Sequence, residues 1–422
     1  MSKIIDHFKT IVTIPRCSSN ASKLKDFLVE FGEQHGYKVQ VDKLENILIT
    51  KGTPKLCLQA HYDMVCMGKA PNIEVYEENG WLKALDSSLG ADNGMAIAMM
   101  MVLMEEGLEL EFLFTSDEEI GLIGAGGVEF VLNSKHMLNL DSEEEGEVCI
   151  GCAGGVDIKA IKKLTKNTNQ SDCYEVSLSG LVGGHSGVDI DKNIPNAITE
   201  LSKFLQENKA KIVDFSGGER INSIPANAKA IIASNIEIHS REQIIATKIT
   251  KSKFVYSDDI ATLIADFSNG VLEYNDELKL PNISQNLAIV SIKNDILTID
   301  VSIRAMSMAD LDKTSKETAE YFRNHGFDVD KRDKYPAWKP EINDFTKLVD
   351  ETMREVIGKS KLGAIHAGLE CGVLKQRYPD MLFASIGPTI LYPHSTREMV
   401  DIESVDRVFE VLKDVIGKIY LL

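Results

Sequence analysis

Five segments of the 422-residue chain place histidine or carboxylate side chains at the end of short apolar runs or in the loops that follow. In LQAHYDMVCMG, His61 and Asp63 stand two apart, a spacing that turns both side chains to one face of an extended strand. An imidazole that ligates a metal needs a partner for its other ring nitrogen, and Asp63 is placed to be one. LGADNGMAIAMMM sets Asp92 after a glycine-containing turn at the head of a helical run, where it could cap the helix or bridge two cations. In FLFTSDEEIGLIGAGG the adjacent Glu118 and Glu119 diverge, so one can ligate while its neighbour serves as general base. LNLDSEEEG ends an apolar run on Asp141, and ASIGPTILYPHSTREMV sets His394 in a loop. Singly these are a surface turn, a helix cap, a solvated acidic loop and a surface histidine. Together His61, Asp92, Glu119, Asp141 and His394 make a two-metal ligand set. Imidazole with carboxylate suits two divalent ions, zinc first and manganese or cobalt by the same chemistry, and disfavours calcium.

The elements that must hold these residues can be read from periodicity. Apolar runs at 46–50, 55–61, 111–115 and 137–141 predict buried strands, and helical spacing covers 3–12, 22–35, 92–106 and 122–132. Strands alternating with helices imply an α/β domain with a mostly parallel sheet, whose chemistry lies beyond the carboxyl ends of its strands. The middle of the chain differs. Alternating residues at 174–180 and 287–304, with a hairpin turn at Lys293-Asn294-Asp295, join helical patterns at 196–206, 241–266 and 308–325. They predict an inserted α+β domain over 155–335, with the prolines of 335–340 marking the return. A helix at 344–356, another at 366–375, a strand at 381–386 and a last helix at 402–419 resume the first pattern. The catalytic domain is thus expected over 1–154 and 336–422.

Composition narrows the class. A formal net charge of −18 argues against nucleic acid or an anionic membrane as partner, and no apolar run is long enough to span a bilayer. The N-terminus lacks a secretory signal pattern, and the seven cysteines show no framework spacing, so they read as reduced thiols in the cytoplasm. Cys149 and Cys152, a lone C-x-x-C, read as structural thiols; His7, His35, His239 and His325 read as surface residues, and Met99, Met100, Met101 and Met104 as helix core.

These segments, in this order, resemble the metallopeptidase family that includes aminoacylases, carboxypeptidase G and the dipeptidases. GGHSG and HAGLECG point to its dipeptidase branch. The resemblance implies a mixed-sheet two-metal exopeptidase domain with an inserted lid, acting on small peptides, Xaa-His and other unblocked dipeptides. By resemblance His61 and Asp141 hold one metal, Glu119 and His394 the other, and Asp92 bridges. Glu118 is then the general base, Asp63 orients His61, and His185 of the lid polarises the scissile carbonyl. Asn222 and Arg304 match lid positions that hold substrate, Glu370 matches the branch signature, and a homodimer through the lid is expected. PHSTRE departs from the more usual PHSPDE, and the lid is short. An N-acyl amino-acid deacylase shares the same core, and an inactive metal-binding scaffold would keep the ligands but not the base.

Overall fold

The apolar runs of the N-terminal third become strands of one eight-stranded sheet in the computed structural model, which describes residues 3–421. In spatial order the sheet runs Lys38–Val41, Ile47–Thr50, Glu111–Thr115, Leu56–His61, His136–Asn139, Leu382–Ser385, Glu147–Cys152 and Lys361–Ile365. Its four inner strands, from Glu111–Thr115 to Leu382–Ser385, are mutually parallel, while Lys38–Val41, Ile47–Thr50 and Glu147–Cys152 join antiparallel. The sheet is therefore mixed, parallel only at its centre. Those inner strands are buried on both faces and read as unbroken apolar runs for that reason. Register pairs His61 with Thr115 and Gln59 with Asn139, which brings several strand ends to one edge.

The helix Ala91–Glu105 is apolar all round, and nearly every residue of it is buried. It shares a core with the amphipathic helices Lys3–Ile11 and Ile402–Leu421 and with the sheet. A smaller antiparallel sheet of Ile390–Leu391, Met399–Asp401, Trp81–Ala84 and Val75–Glu78 completes this unit. The unit comprises the chain up to Cys152, Trp338–Ala364 and the residues from Leu369 onward. Cys152 and Trp338 exchange backbone hydrogen bonds (2.8 and 3.0 Å) where the chain leaves and returns.

The second unit, Ala153–Ala337 with Ile365–Gly368, has its own core around an antiparallel sheet. Its strands Leu280–Lys293 and Ile296–Ala305 form the expected hairpin. Asn294 and Asp295 both lie at positive φ (52° and 62°), as a two-residue turn requires. Helices Ala197–Glu207 and Met308–Asn324 pack apolar faces into this core.

Three expected helices differ. Residues 241–266 form the strands Ile244–Ile249 and Phe254–Tyr256 and only a short helix, Ile260–Ala265. The β-branched residues of IIATKIT fit an edge strand on Asp172–Leu178 better than a helix. At 122–132 the helix shrinks to Ile123–Gly126. Three of residues 124–127 are glycine, a weak helix former, and a Cβ at Gly124 would come within 2.3 Å of the Ser116 carbonyl. The helix expected at 366–375 starts later, as Glu370–Arg377, behind the strand Lys361–Ile365. The cysteines also differ from expectation: Cys17 and Cys66 form a disulfide, and the other five are buried thiols outside any disulfide. Sequence spacing could not reveal this pair, because the two loops meet only in the fold, where Cys17 bridges to Met64 and Ser18 reaches Asp63. His7 and His35 are half-buried rather than on the surface, against Glu105 and Phe31.

Candidate metal centre

The carboxyl ends of the inner strands deliver the side chains that the sequence singles out. His61 closes Leu56–His61, and Asp63 follows two residues later. Glu118 and Glu119 stand in the loop after Glu111–Thr115, and Asp141 stands two residues past His136–Asn139. Asp92 lies at the head of Ala91–Glu105 with non-helical backbone angles, and Gly90 precedes that helix in left-handed geometry. Asp92 is therefore not the helix cap. His394, at φ 56°, comes from the loop between Ile390–Leu391 and Met399–Asp401.

Asp92 is the centre of the group. Its Oδ1 lies 3.1 Å from His61 Nε2 and its Oδ2 lies 3.0 Å from His394 Nε2. His61 Nε2 also faces Asp141 Oδ1 at 3.3 Å, and His394 Nε2 faces Glu119 Oε2 at 2.9 Å. Each imidazole nitrogen thus looks at two carboxylates, while a ring N–H can satisfy only one well. Glu119 Oε1 and Asp141 Oδ1 are buried without a hydrogen-bond partner. Two foci, His61–Asp92–Asp141 and Asp92–Glu119–His394, gather their donor atoms within 4.8 Å, and His61, Glu118 and Glu119 form a third such group. Nitrogen and carboxylate donors converging in this way fit two divalent cations better than they fit one another.

Asp63 organises the same loops from behind. It accepts hydrogen bonds from Ser18 Oγ (2.7 Å) and from the backbone N–H groups of Glu118 (3.0 Å) and Glu119 (3.4 Å), with His61 Nδ1 3.4 Å away. Burial alone would raise its pKa, but His61 and these donors hold it below the usual carboxylate range. Burial pushes the Glu118 carboxyl well above that range, aided by Glu119, Asp141 and Glu370 and opposed by His61. Burial works against a charged His394, yet Asp92 and Glu119 carry it up to about 11.

Residues 57–418 match the profile of the peptidase family M20/M25/M40. The chain belongs to that family. It is 32% identical to the cytosol non-specific dipeptidase of Escherichia coli (strain K12), over 98% of this chain and 97% of the relative. The crystal structure of aminoacylhistidine dipeptidase from Vibrio alginolyticus superposes with a TM-score of 0.83 at 29% identity, covering 98% of this chain and 96% of that one. A Bacillus cereus structure, aminopeptidase PepT, shares the fold at a TM-score of 0.62 and 17% identity, covering 99% and 98% of the two chains. Family membership makes this chain a peptide hydrolase.

The remaining sequence-predicted residues divide between the units. Glu370 belongs to the first, fully buried, where its Oε2 accepts from Gln59 Nε2 (2.5 Å) and Thr115 Oγ1 (2.6 Å). Burial raises its pKa to about 8. These bonds tie Glu370 to the strands Leu56–His61 and Glu111–Thr115. His185, Asn222 and Arg304 belong to the second unit. His185 pairs with Ser223 in a short antiparallel bridge, and Asn222 adjoins it, accepting from Ser186 N at 2.9 Å. The ring Nδ1 of His185 accepts from the N–H groups of Gly187 and Val188, so a neutral ring carries its proton on Nε2. Arg304 is buried and donates to Tyr335 Oη at 2.6 Å. Next to it His366 is buried with Nε2 2.7 Å from Ser284 Oγ, its pKa lowered to about 3 by burial and by Arg304.

Two buried charges near Asp92, Arg16 and Glu398, carry no histidine or strand-end signal and are not among the sequence-predicted residues. Their only trace in sequence is the glycine pair of GADNG and the glutamate that closes PHSTRE.

Proposed function

We propose that the chain is a cytoplasmic dipeptidase that uses two divalent metal ions, zinc first, to hydrolyse unblocked dipeptides, Xaa-His among them. The observation that carries this reading is the placing of Asp92 between His61 and His394, in a chain similar end to end to a dipeptidase. His61 and Asp141 would hold one ion, Glu119 and His394 the other, and Asp92 both. Bound there, the ions supply Lewis acidity toward the scissile carbonyl and an acidified water.

The protein's own groups do the rest. Glu118, adjacent to a ligand but not one itself, takes the proton of the attacking water and delivers it to the leaving amine. A pKa raised by burial suits the delivery, and neighbouring cations would bring it back toward neutrality for the first step. Asp63 keeps His61 in the tautomer that leaves Nε2 free to ligate. His185, whose Nδ1 accepts from the backbone so that a neutral ring carries its proton on Nε2, is proposed as the donor to the carbonyl oxygen. Asn222 and Arg304 are proposed as substrate-holding residues, and the second unit as a lid and dimer surface.

The test is a panel of free dipeptides against N-acetyl amino acids, with the zinc-loaded enzyme and after chelation. Dipeptide turnover that chelation abolishes and zinc restores supports the reading. Preference for acylated substrates would replace it with deacylation. Glu118→Gln should keep two zinc ions and lose about 10²–10⁴-fold in kcat; normal turnover in that variant would remove Glu118 from its role.

A further inference from the structure

Arg16 is a fully buried arginine that donates its hydrogen bonds to backbone oxygens. Nη1 donates to the carbonyls of Tyr62 (3.2 Å) and Asp63 (2.7 Å), and Nη2 donates to the carbonyl of Gly90. Room for it is built into the sequence. A Cβ at Gly90, where φ is 73°, would come within 2.7 Å of Nη2, and one at Gly94 within 2.6 Å. The two glycines of GADNG thus leave a slot that the guanidinium fills.

Glu398 approaches the same turn from its donor side. It is buried, and Oε2 accepts from the N–H groups of Leu89 (2.8 Å) and Gly90 (3.0 Å). Oε1 accepts from Ala91 (2.7 Å) and Asp92 (3.3 Å). Four consecutive backbone donors therefore share one carboxylate, while Arg16 holds the carbonyl between them. Asn93 extends the hold by donating Nδ2 to the Leu140 carbonyl (2.9 Å), one residue before Asp141. Two opposite charges, neither a ligand, fix the segment that carries the shared one. Through Tyr62 and Asp63, Arg16 also ties this turn to the segment that follows His61.

We propose that Arg16 and Glu398 are positioning residues for the metal centre, clamping the 89–92 turn so that both oxygens of Asp92 face their histidines at once. A bridging carboxylate must be held to within about 0.5 Å to serve two ions, which one flexible side chain on a free turn would not achieve. The inference rests on the reading of Asp92 as the bridging ligand.

Glu398→Gln tests it with little change in size, because the amide nitrogen cannot accept and leaves turn N–H groups facing another donor. Arg16→Lys tests the other arm by removing the fork that reaches three carbonyls. The readouts are the circular dichroism spectrum, zinc affinity by competition with a chromogenic chelator, and kcat and KM on a dipeptide. Both variants should fold and bind zinc about 10–100-fold more weakly. Their kcat should fall with KM unchanged, and excess zinc should restore part of the activity, which a merely structural defect would not allow. Wild-type zinc affinity in either folded variant overturns the role of that residue. A Glu398→Gln chain that does not fold makes Glu398 a folding residue and overturns its role here. If the unaltered chain binds no zinc, the ligand reading itself fails, an outcome distinct from zinc binding that the substitutions leave intact.

Discussion

At the residue scale, a buried charge is tolerated only where something answers it, and the two units answer differently. In the first, imidazoles and hydrogen-bond donors hold Asp63 and Asp92 low despite burial, while burial raises Glu118 and Glu370. Asp157 in the second unit lies outside any such cluster. Burial raises its pKa to about 6, and the hydrogen bond from Ser302 and the charge of Arg304 only partly oppose this. The folded chain then binds more protons than the unfolded chain between the ordinary carboxylate pKa and about 6, so this group lowers stability as pH rises through that window. Asp157→Asn should match the parent below about pH 4 and exceed it by roughly 1–2 kcal/mol above about pH 6. Urea midpoints at the two pH values check this, and equal gains at both would show that charge burial is not the cause. The sequence made legible those residues whose chemistry lies in their type and in their place at a strand end: His61, Asp92, Glu119, Asp141 and His394 all converge. Arg16 and Glu398 were illegible because their partners are backbone atoms, which no side-chain pattern encodes.

Elements were legible where one period dominated. The hairpin of Leu280–Lys293 and Ile296–Ala305 shows alternation on both arms and a turn of residues that accept positive φ. The stretch 241–266 mixes charged, β-branched and small residues, so helical spacing could be found in it although tertiary pairing makes its first part, Ile244–Ile249, an edge strand. The disulfide belongs to this scale too, because it links the loop after Lys3–Ile11 to the loop after Leu56–His61 across 49 residues. Ser18, next to Cys17, donates to Asp63, so the linked loops also support the cluster. Closing a loop of that length stabilises by about 2–4 kcal/mol. The oxidised protein should show five free thiols after denaturation and the reduced protein all seven, with reduction lowering the melting temperature of the first unit. Seven thiols in protein purified without reductant would fit the cytoplasmic reading, in which such pairs stay reduced. An unchanged melting temperature on reduction would remove the disulfide from any account of stability.

At the scale of the whole molecule, the described residues form two large hydrophobic cores, and the three histidine–carboxylate groups found among them lie in the unit of the first. A ligand that binds only the folded form of one unit raises the stability of that unit by mass action, by about 2.7 kcal/mol at a hundred times its dissociation constant. For a unit of this size that corresponds to roughly 5–10 °C in melting temperature. Calorimetry of the full chain should therefore resolve two heat-absorption components in the metal-free protein, and zinc should move one of them upward and leave the other in place. The assignment of the moving component can be checked within the same chain. Asp157→Asn should shift the component that zinc does not move, because Asp157 lies on Gly154–Lys163 of the second unit. Should zinc and Asp157→Asn shift the same component, the two cores would unfold as one cooperative body. Should zinc move neither, the convergence around Asp92 would hold protons rather than metal, and the peptidase reading would have to find another nucleophile.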